Sequence, residues 1–262
     1  LPVNYVSAER TRPNKWAAKA LLARVFLYTG DWAGAEAEAT AVIQSGLYSM
    51  ASNTTNVFLN NSSETIWQIM PVLTTTNTAE GNAFVPSSVT VKPTYAMTPA
   101  LLNAFETNDQ RKTNWTKANV VSGQTYTYPN KYKVRVIAAG AARTEYNIVL
   151  RLAEQLLIRA EARAKQNDVN GSKADINIIR SRAGLGVTIA NDQASLLAAI
   201  EKERRTELFA ETGHRWLDLK RTNRLDAVLG PIKSGWQTTD ALYPIPYSEI
   251  QANPNLVQNA GY

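Results

Sequence analysis

Glu203, Glu207 and Glu211 stand four apart in IEKERRTELFAETGHRWLDLKR, residues 200–221. Two carboxylates a few ångströms apart could serve a glycosidase, one as the acid and the other as nucleophile or base. On a helix, however, all three project from one face, whereas that chemistry needs groups that flank the scissile bond from different sides. The same face begins with Leu196, Leu197 and Ile200 and therefore points inward, where an unpaired charge costs several kcal/mol. Like charges four residues apart also repel by a few tenths of a kcal/mol per pair and so want cations between them. The spacing predicts a partly buried structural network of Glu203, Arg204, Glu207, Glu211 and Arg215. Arg180, Arg182 and Arg205 are further cations in reach, and Asp218 and Arg221 close the network.

Other catalytic chemistry has little to stand on. There are no cysteines and one histidine, which excludes thiolate or poly-histidine metal sites and a Cys nucleophile within these residues. His214 has no neighbouring Ser or Cys to activate and reads as a structural hydrogen-bonding group near a helix end. No GxxxxGK[ST] or GxGxxG string is present, and no cofactor is expected.

A second set of residues suits binding. Phe84, Tyr95, Trp115, Tyr126 and Tyr128 lie among polar residues that include Asn82, Asn114, Lys117 and Gln124. A flat ring covers the C–H face of a sugar while such neighbours take its hydroxyls. These five aromatics are the candidate glycan contacts, core packing being the competing role for each. Trp67 alternates with Ile66, Gln68 and Ile69 and is assigned to a strand and the core. Trp16, Trp32 and Trp216 fit helix packing, and Trp236 is left open.

The elements that must position these residues are mostly helical. Val149, Leu152, Ala153, Leu156, Leu157, Ala160 and Ala164 recur at steps of three and four, giving one helix. Asp168, Asn170 and Gly171 break it, and Ala174, Ile176, Ile179 and Ala183 resume the spacing until Gly184. Residues 14–48 read as a helical hairpin of tetratricopeptide (TPR) type, with Trp16, Leu22, Ala23, Phe26, Gly30, Trp32, Ala35 and Ala39 at the repeat's apolar and turn positions. From 50 to 143 Ser, Thr, Asn and Pro dominate, with strands expected at Thr65 to Met70 and Lys131 to Ile137 and a helix only around Ala100 to Phe105. So long a loop-rich stretch in a compact domain is where a ligand belongs. The tail from Pro231 is expected to be extended, with Ile245, Ile250, Leu256 and Val257 as apolar pegs. The fold class is mainly α. It comprises a TPR-like hairpin (1–50), a loop-rich ligand-binding lobe with short strands (51–146), and a helical region with an extended tail (147–262), packed as one unit.

The totals agree with a globular chain: 262 residues, 44% hydrophobic, formal charge +6, pI about 9.4. The positive excess permits acidic partners. Lys and Arg are scattered among Glu, so no nucleic acid is expected. No apolar run nears the roughly 18 residues of a membrane span, and a start at Leu1 without a leader suggests a processed or truncated product.

Several separate stretches, in order, resemble the SusD/RagB family of outer-membrane nutrient-binding proteins of Bacteroidetes. They are LRLAEQLLIRAEARA (150–164), INIIRSRAGL (176–185), IEKERRTELFAETGHRWLDLKR (200–221) and LYPIPYSEIQANPNLVQNAGY (242–262). LLNAFETNDQRKTNW, with Asp109 and Arg111, and NKYKV, with Lys131 and Tyr132, are similar to the family's pattern too. Thr212 departs from it, since the family often has Gly there. The resemblance implies a SusD-like superhelix truncated at its N-terminus. It implies a non-catalytic surface protein, tethered to the outer membrane by a lipid on an upstream cysteine. Such a protein binds oligosaccharides or polysaccharide fragments and delivers them to a TonB-dependent, SusC-like transporter. A TPR-type module that binds only protein or peptide, and a surface glycosidase, are the alternatives.

Overall fold

Asn14 opens the first helix. Its side chain accepts the Trp16 and Ala17 N–H groups, both at 3.0 Å, and fills two of the donors that a helix start leaves unpaired. The computed structural model describes residues 1–262 and divides into two units, Leu1–Phe209 and Ala210–Tyr262. No helix in it is long and apolar enough to cross a membrane.

In the first unit α1 (Lys15–Thr29) ends at Gly30, whose φ of 79° needs no side chain to clash. α2 (Trp32–Ile43) starts under the Asp31 cap. Ala17, Ala20 and Ala23 of α1, and Ala35 and Ala39 of α2, are all buried, so small side chains bring the two axes close. The inward row of α1 is this alanine row with Leu27. Leu22, expected inside, stands one residue off it and is 39% exposed, as its neighbours Leu21 and Val25 are exposed.

The hairpin packs on α6 (Leu152–Lys165), where every residue from Leu152 to Ala162 is buried. Polar groups on such a helix must find partners. Glu154 takes Arg24 at 2.6 Å, and Arg159 takes Asp175 at 2.6 Å. α7 (Val169–Arg182) runs back under the Asp168 cap, and α8 (Gln193–Glu207) starts from an Asp192–Ser195 capping box. Both pack against α6.

The helix expected to include Val149 starts later. Asn147–Arg151 is a strand, and it pairs antiparallel with β1 (Thr65–Ile69). Ile148 and Leu150 are buried while Asn147 and Val149 are half-buried, which is the two-residue period of a strand. The Leu152 N–H then donates to the Glu64 carbonyl at 2.9 Å, where strand passes into helix.

Between β1 and that strand lies the loop-rich lobe. It holds α3 (Ala79–Phe84), α4 (Pro99–Leu102) and α5 (Gln110–Trp115), then a hairpin of β2 (Thr116–Val121) and β3 (Gln124–Pro129). The later strand, 147–151, is β4. Ser122 and Gly123 form the hairpin turn with φ of 51° and 75°, left-handed values that suit tight hairpins. The strand expected at Lys131 to Ile137 is absent. The Lys133 and Val134 N–H groups donate to the buried Glu145 carboxylate, at 2.8 and 3.2 Å, instead of to a neighbouring strand.

The second unit contains α9 (His214–Arg221), α10 (Leu225–Leu229) and α11 (Tyr247–Ala252). Trp216 packs on Trp236 and Tyr243, with ring centroids at 6.2 and 5.8 Å. The tail is therefore extended only in part. Ile245, Ile250 and Leu256 are half-buried, whereas Val257 is 84% exposed and anchors nothing.

Candidate ligand-binding site

Glu207 is fully buried, and its carboxylate meets three guanidinium groups. Arg151 Nη1 lies 2.6 Å from Oε1, Arg111 Nη1 lies 3.3 Å from Oε2, and Arg182 Nη2 also contacts Oε1. Glu203 lies between Arg111 and Arg180, each at 2.8 Å. Glu64, on the same network, takes Arg182 at 2.5 Å. Asp109 accepts two hydrogen bonds from the Arg111 guanidinium, at 2.8 and 3.0 Å. Burial acts to raise the Glu207 pKa, but Arg182, Arg151 and Arg111 together outweigh it and hold the group below the usual carboxylate range. Both oxygens of Glu203 and of Glu207 thus face cations, and the side chains are sealed from solvent. Neither can flank a bound substrate.

The network differs from its expected membership. Arg111 and Arg151, 96 and 56 residues from Glu207 in the chain, were not foreseen as its partners. Helix α8 stops at Glu207, and Ala210 and Thr212 have positive φ. Glu211 therefore falls in a turn and does not extend the helical ladder. Arg204 is buried, Arg215 half-buried, and Asp218 pairs with Arg221 at 2.9 Å within the second unit.

The five candidate aromatics divide by depth. Trp115, at 0% exposure, donates its Nε1–H to the Thr54 carbonyl at 2.7 Å and packs edge-on against Phe58 at 5.4 Å. The ring closes the core where α5 passes straight into β2. Lys131 lies beside it, its Nζ donating to the Glu207 carbonyl at 2.7 Å and 4.8 Å from the Trp115 ring. Tyr128 is also buried. Both must be removed from the glycan contacts, because a ring with no surface in water has no face to offer a sugar. They support the lobe instead.

Phe84, Tyr95 and Tyr126 remain. Phe84 and Tyr126 are half-buried, and Tyr95 is 56% exposed. Phe84 ends α3 and meets Tyr95 edge to face, with centroids 5.8 Å apart and planes at 76°. Tyr126 lies on β3 directly opposite Asn119 of β2. The Asn119 side-chain amide donates to the Ser88 and Val91 carbonyls, at 2.9 and 2.7 Å. The Met97 N–H donates to the Thr127 carbonyl at 2.7 Å. The loop between Phe84 and Met97 is thereby fastened to the hairpin, and Lys92 on that loop places its Nζ 4.8 Å from the Tyr126 ring, in cation–π range. Asn82 and Arg135 bond each other's main chain, at 3.4 and 3.3 Å, and hold the end of α3. Asn119, Lys92 and Arg135 were missed from the sequence, although the Ser-Gly turn could have placed Asn119 on a hairpin.

A separate open depression of about 540 Å³ is lined by Val187, Ile189, Ala199, Glu106, Arg180 and Lys202. Arg180 is the main cause that lowers the Glu106 pKa to about 2; partial burial opposes it and Lys202 adds to it. These charges are already joined, since Arg180 and Lys202 lie 2.8 and 3.0 Å from Glu106.

Residues 19–262 match the sequence profile of the SusD family. The SusD-like protein P38 of Formosa agariphila is 36% identical over 126 residues, which is 44% of this chain and 25% of that protein. A SusD superfamily protein from Parabacteroides distasonis superposes with a TM-score of 0.80 at 25% identity, covering 100% of this chain and 65% of that one. Surface glycan-binding protein A from Bacteroides thetaiotaomicron, solved in complex with laminarihexaose, gives 0.75 at 22% identity, covering 99% and 66%. The chain thus spans about two thirds of the length of these solved structures. With its helical architecture shared along its whole length and the family profile matched from residue 19 to residue 262, the chain belongs to the SusD family.

Proposed function

We propose that this chain is the glycan-binding portion of a non-catalytic cell-surface protein. The observation that carries this reading is the trio of Phe84, Tyr95 and Tyr126. Phe84 and Tyr95 pack edge to face, and the loop that carries Tyr95 is tied to the hairpin that carries Tyr126, in a protein whose carboxylate ladder is closed off by arginine. Rings held in place before a sugar arrives lose little freedom on binding it. The laminarihexaose complex of a fold relative supports the same ligand class. The protein would be lipid-anchored upstream at the outer face of the outer membrane, and it would pass oligosaccharides or polysaccharide fragments to a TonB-dependent, SusC-like transporter.

Affinity electrophoresis through gels containing laminarin, starch, pectin or other soluble polysaccharides tests this. Wild type should be retarded by at least one of them. The Phe84→Ala/Tyr95→Ala variant should lose that retardation with its melting temperature nearly unchanged. Equal retardation of the two proteins would sink the site. A second reading, a TPR-type module for protein or peptide, is favoured by the outer face of α1, where Leu21, Leu22 and Val25 are exposed together. On that reading Leu22→Glu would abolish partner binding and the ring variants would not.

A further inference from the structure

Charge in the lobe is sorted by depth. Between residues 51 and 146 the exposed charged residues are Lys92, Lys112, Lys117 and Lys133. All five acids of that stretch are buried or half-buried, and each accepts a hydrogen bond from a protein group. Most protein surfaces mix the two signs, so a stretch whose exposed charges carry only one sign contributes a field that gathers ions of the other. Two of these lysines lie on or against the hairpin that carries Tyr126. The partner of Lys92 is the Tyr126 ring and not a carboxylate. Lys117, opposite Tyr128 in the hairpin register, shares a hairpin face with Asn119 and Tyr126. Arg135 adds a third cation through its bond to the main chain at Asn82, two residues before Phe84.

An ammonium group donates hydrogen bonds to the hydroxyls of a neutral glycan. To an acidic one it adds an ion pair, and a lysine to carboxylate or sulfate contact is the stronger, charge-assisted kind. We infer that the Phe84, Tyr95 and Tyr126 site takes anionic glycans, with Lys92 and Lys117 meeting the acid groups while the rings cover the sugar faces. This rests on the glycan-binding reading above and adds the ligand's charge class to it.

The test is calorimetry with oligogalacturonate, dextran sulfate, dextran and laminarihexaose, plus polyglutamate as an anion without sugar rings. Acidic glycans should bind about tenfold or more tightly than neutral ones at low salt and lose most of that advantage once the Debye length falls to about 3 Å near 1 M salt. Lys92→Gln/Lys117→Gln should weaken acidic ligands about tenfold and neutral ones no more than about twofold, since glutamine still donates to hydroxyls. Oligogalacturonate against dextran sulfate separates carboxylate from sulfate recognition, and a preference for either supports the inference. Laminarihexaose bound as tightly as oligogalacturonate, with both lost in Phe84→Ala/Tyr95→Ala, would overturn the charge class and keep the glycan site. Binding that ignores the ring substitutions would overturn both. Polyglutamate held as firmly as the acidic glycans would also overturn the inference, since the rings would then be irrelevant.

Discussion

Glu207 and Tyr95 belong to the same unit and follow opposite rules. The first is surrounded: three guanidinium groups fill its oxygens and no water reaches it. The second touches one ring and leaves more than half its surface in solvent. A charged group whose every valence is met by the protein has nothing left for a ligand, so its role is structural. A ring left largely in solvent, on a segment tied down by the hydrogen bonds of its neighbours, has contacts still to make. The same contrast separates two aromatics of similar sequence surroundings, since Trp115 is sealed where Tyr95 is open.

That contrast can be broken from the charged side first. Glu207→Ala leaves Arg151, Arg182 and Arg111 buried without their common counter-ion, which should cost about 3–5 kcal/mol and lower the melting temperature by roughly 10 °C. A variant as stable as wild type would remove the network as a structural element. Trp115→Ala opens a cavity in the core and should cost about 3–5 kcal/mol; calorimetry of the still-folded fraction should find its glycan affinity unchanged. Acid titration sharpens the comparison further. Glu207 has a lowered folded pKa, so its contribution is complete above the unfolded value near 4.3 and fades as pH falls below it. Denaturant midpoints should stay flat in this respect from neutral pH down to about 5 and then drop, and the drop should be shallower in Glu207→Gln. Tyr95→Ala should move stability by less than about 1 kcal/mol while glycan affinity falls. The smallest effect belongs to Glu106, a partly exposed group whose pKa is lowered from 4.5 to about 2. Glu106→Gln should trim the stability gained between those pH values only slightly, because solvent screens such pairs.

The sequence made the helical frame readable because small residues and caps are local signals. Asn14, Gly30, Asp168 and the alanine row of α2 each state their role within a few positions. It also made the glutamate step of four readable, but not the partners, since Arg111 and Arg151 reach it from other elements. Val149 was misplaced because Ile-Val-Leu fits the start of a helix as well as a strand, and pairing with β1 settles the matter. Depth was the hardest property to read. Trp115 and Tyr95 both sit among polar residues along the chain, and only the fold of α5 into β2 turns one ring inward. For the same reason the three open rings were found together with two that are closed.

The burial of α6 on every side from Leu152 to Ala162 has a kinetic consequence. Its amides cannot meet solvent unless α2, α7 and α8 part from it, so they should exchange hydrogen for deuterium only through opening of the whole unit. The segment between Phe84 and Met97 is fastened by few bonds, chiefly those of Asn119 and Met97, and should exchange through small local openings at far lower free energy. A slow-exchanging axis would then carry a segment that is closed most of the time yet opens locally, and a captured ligand would register as slowed exchange there and in the β2–β3 hairpin while α6 stays unchanged.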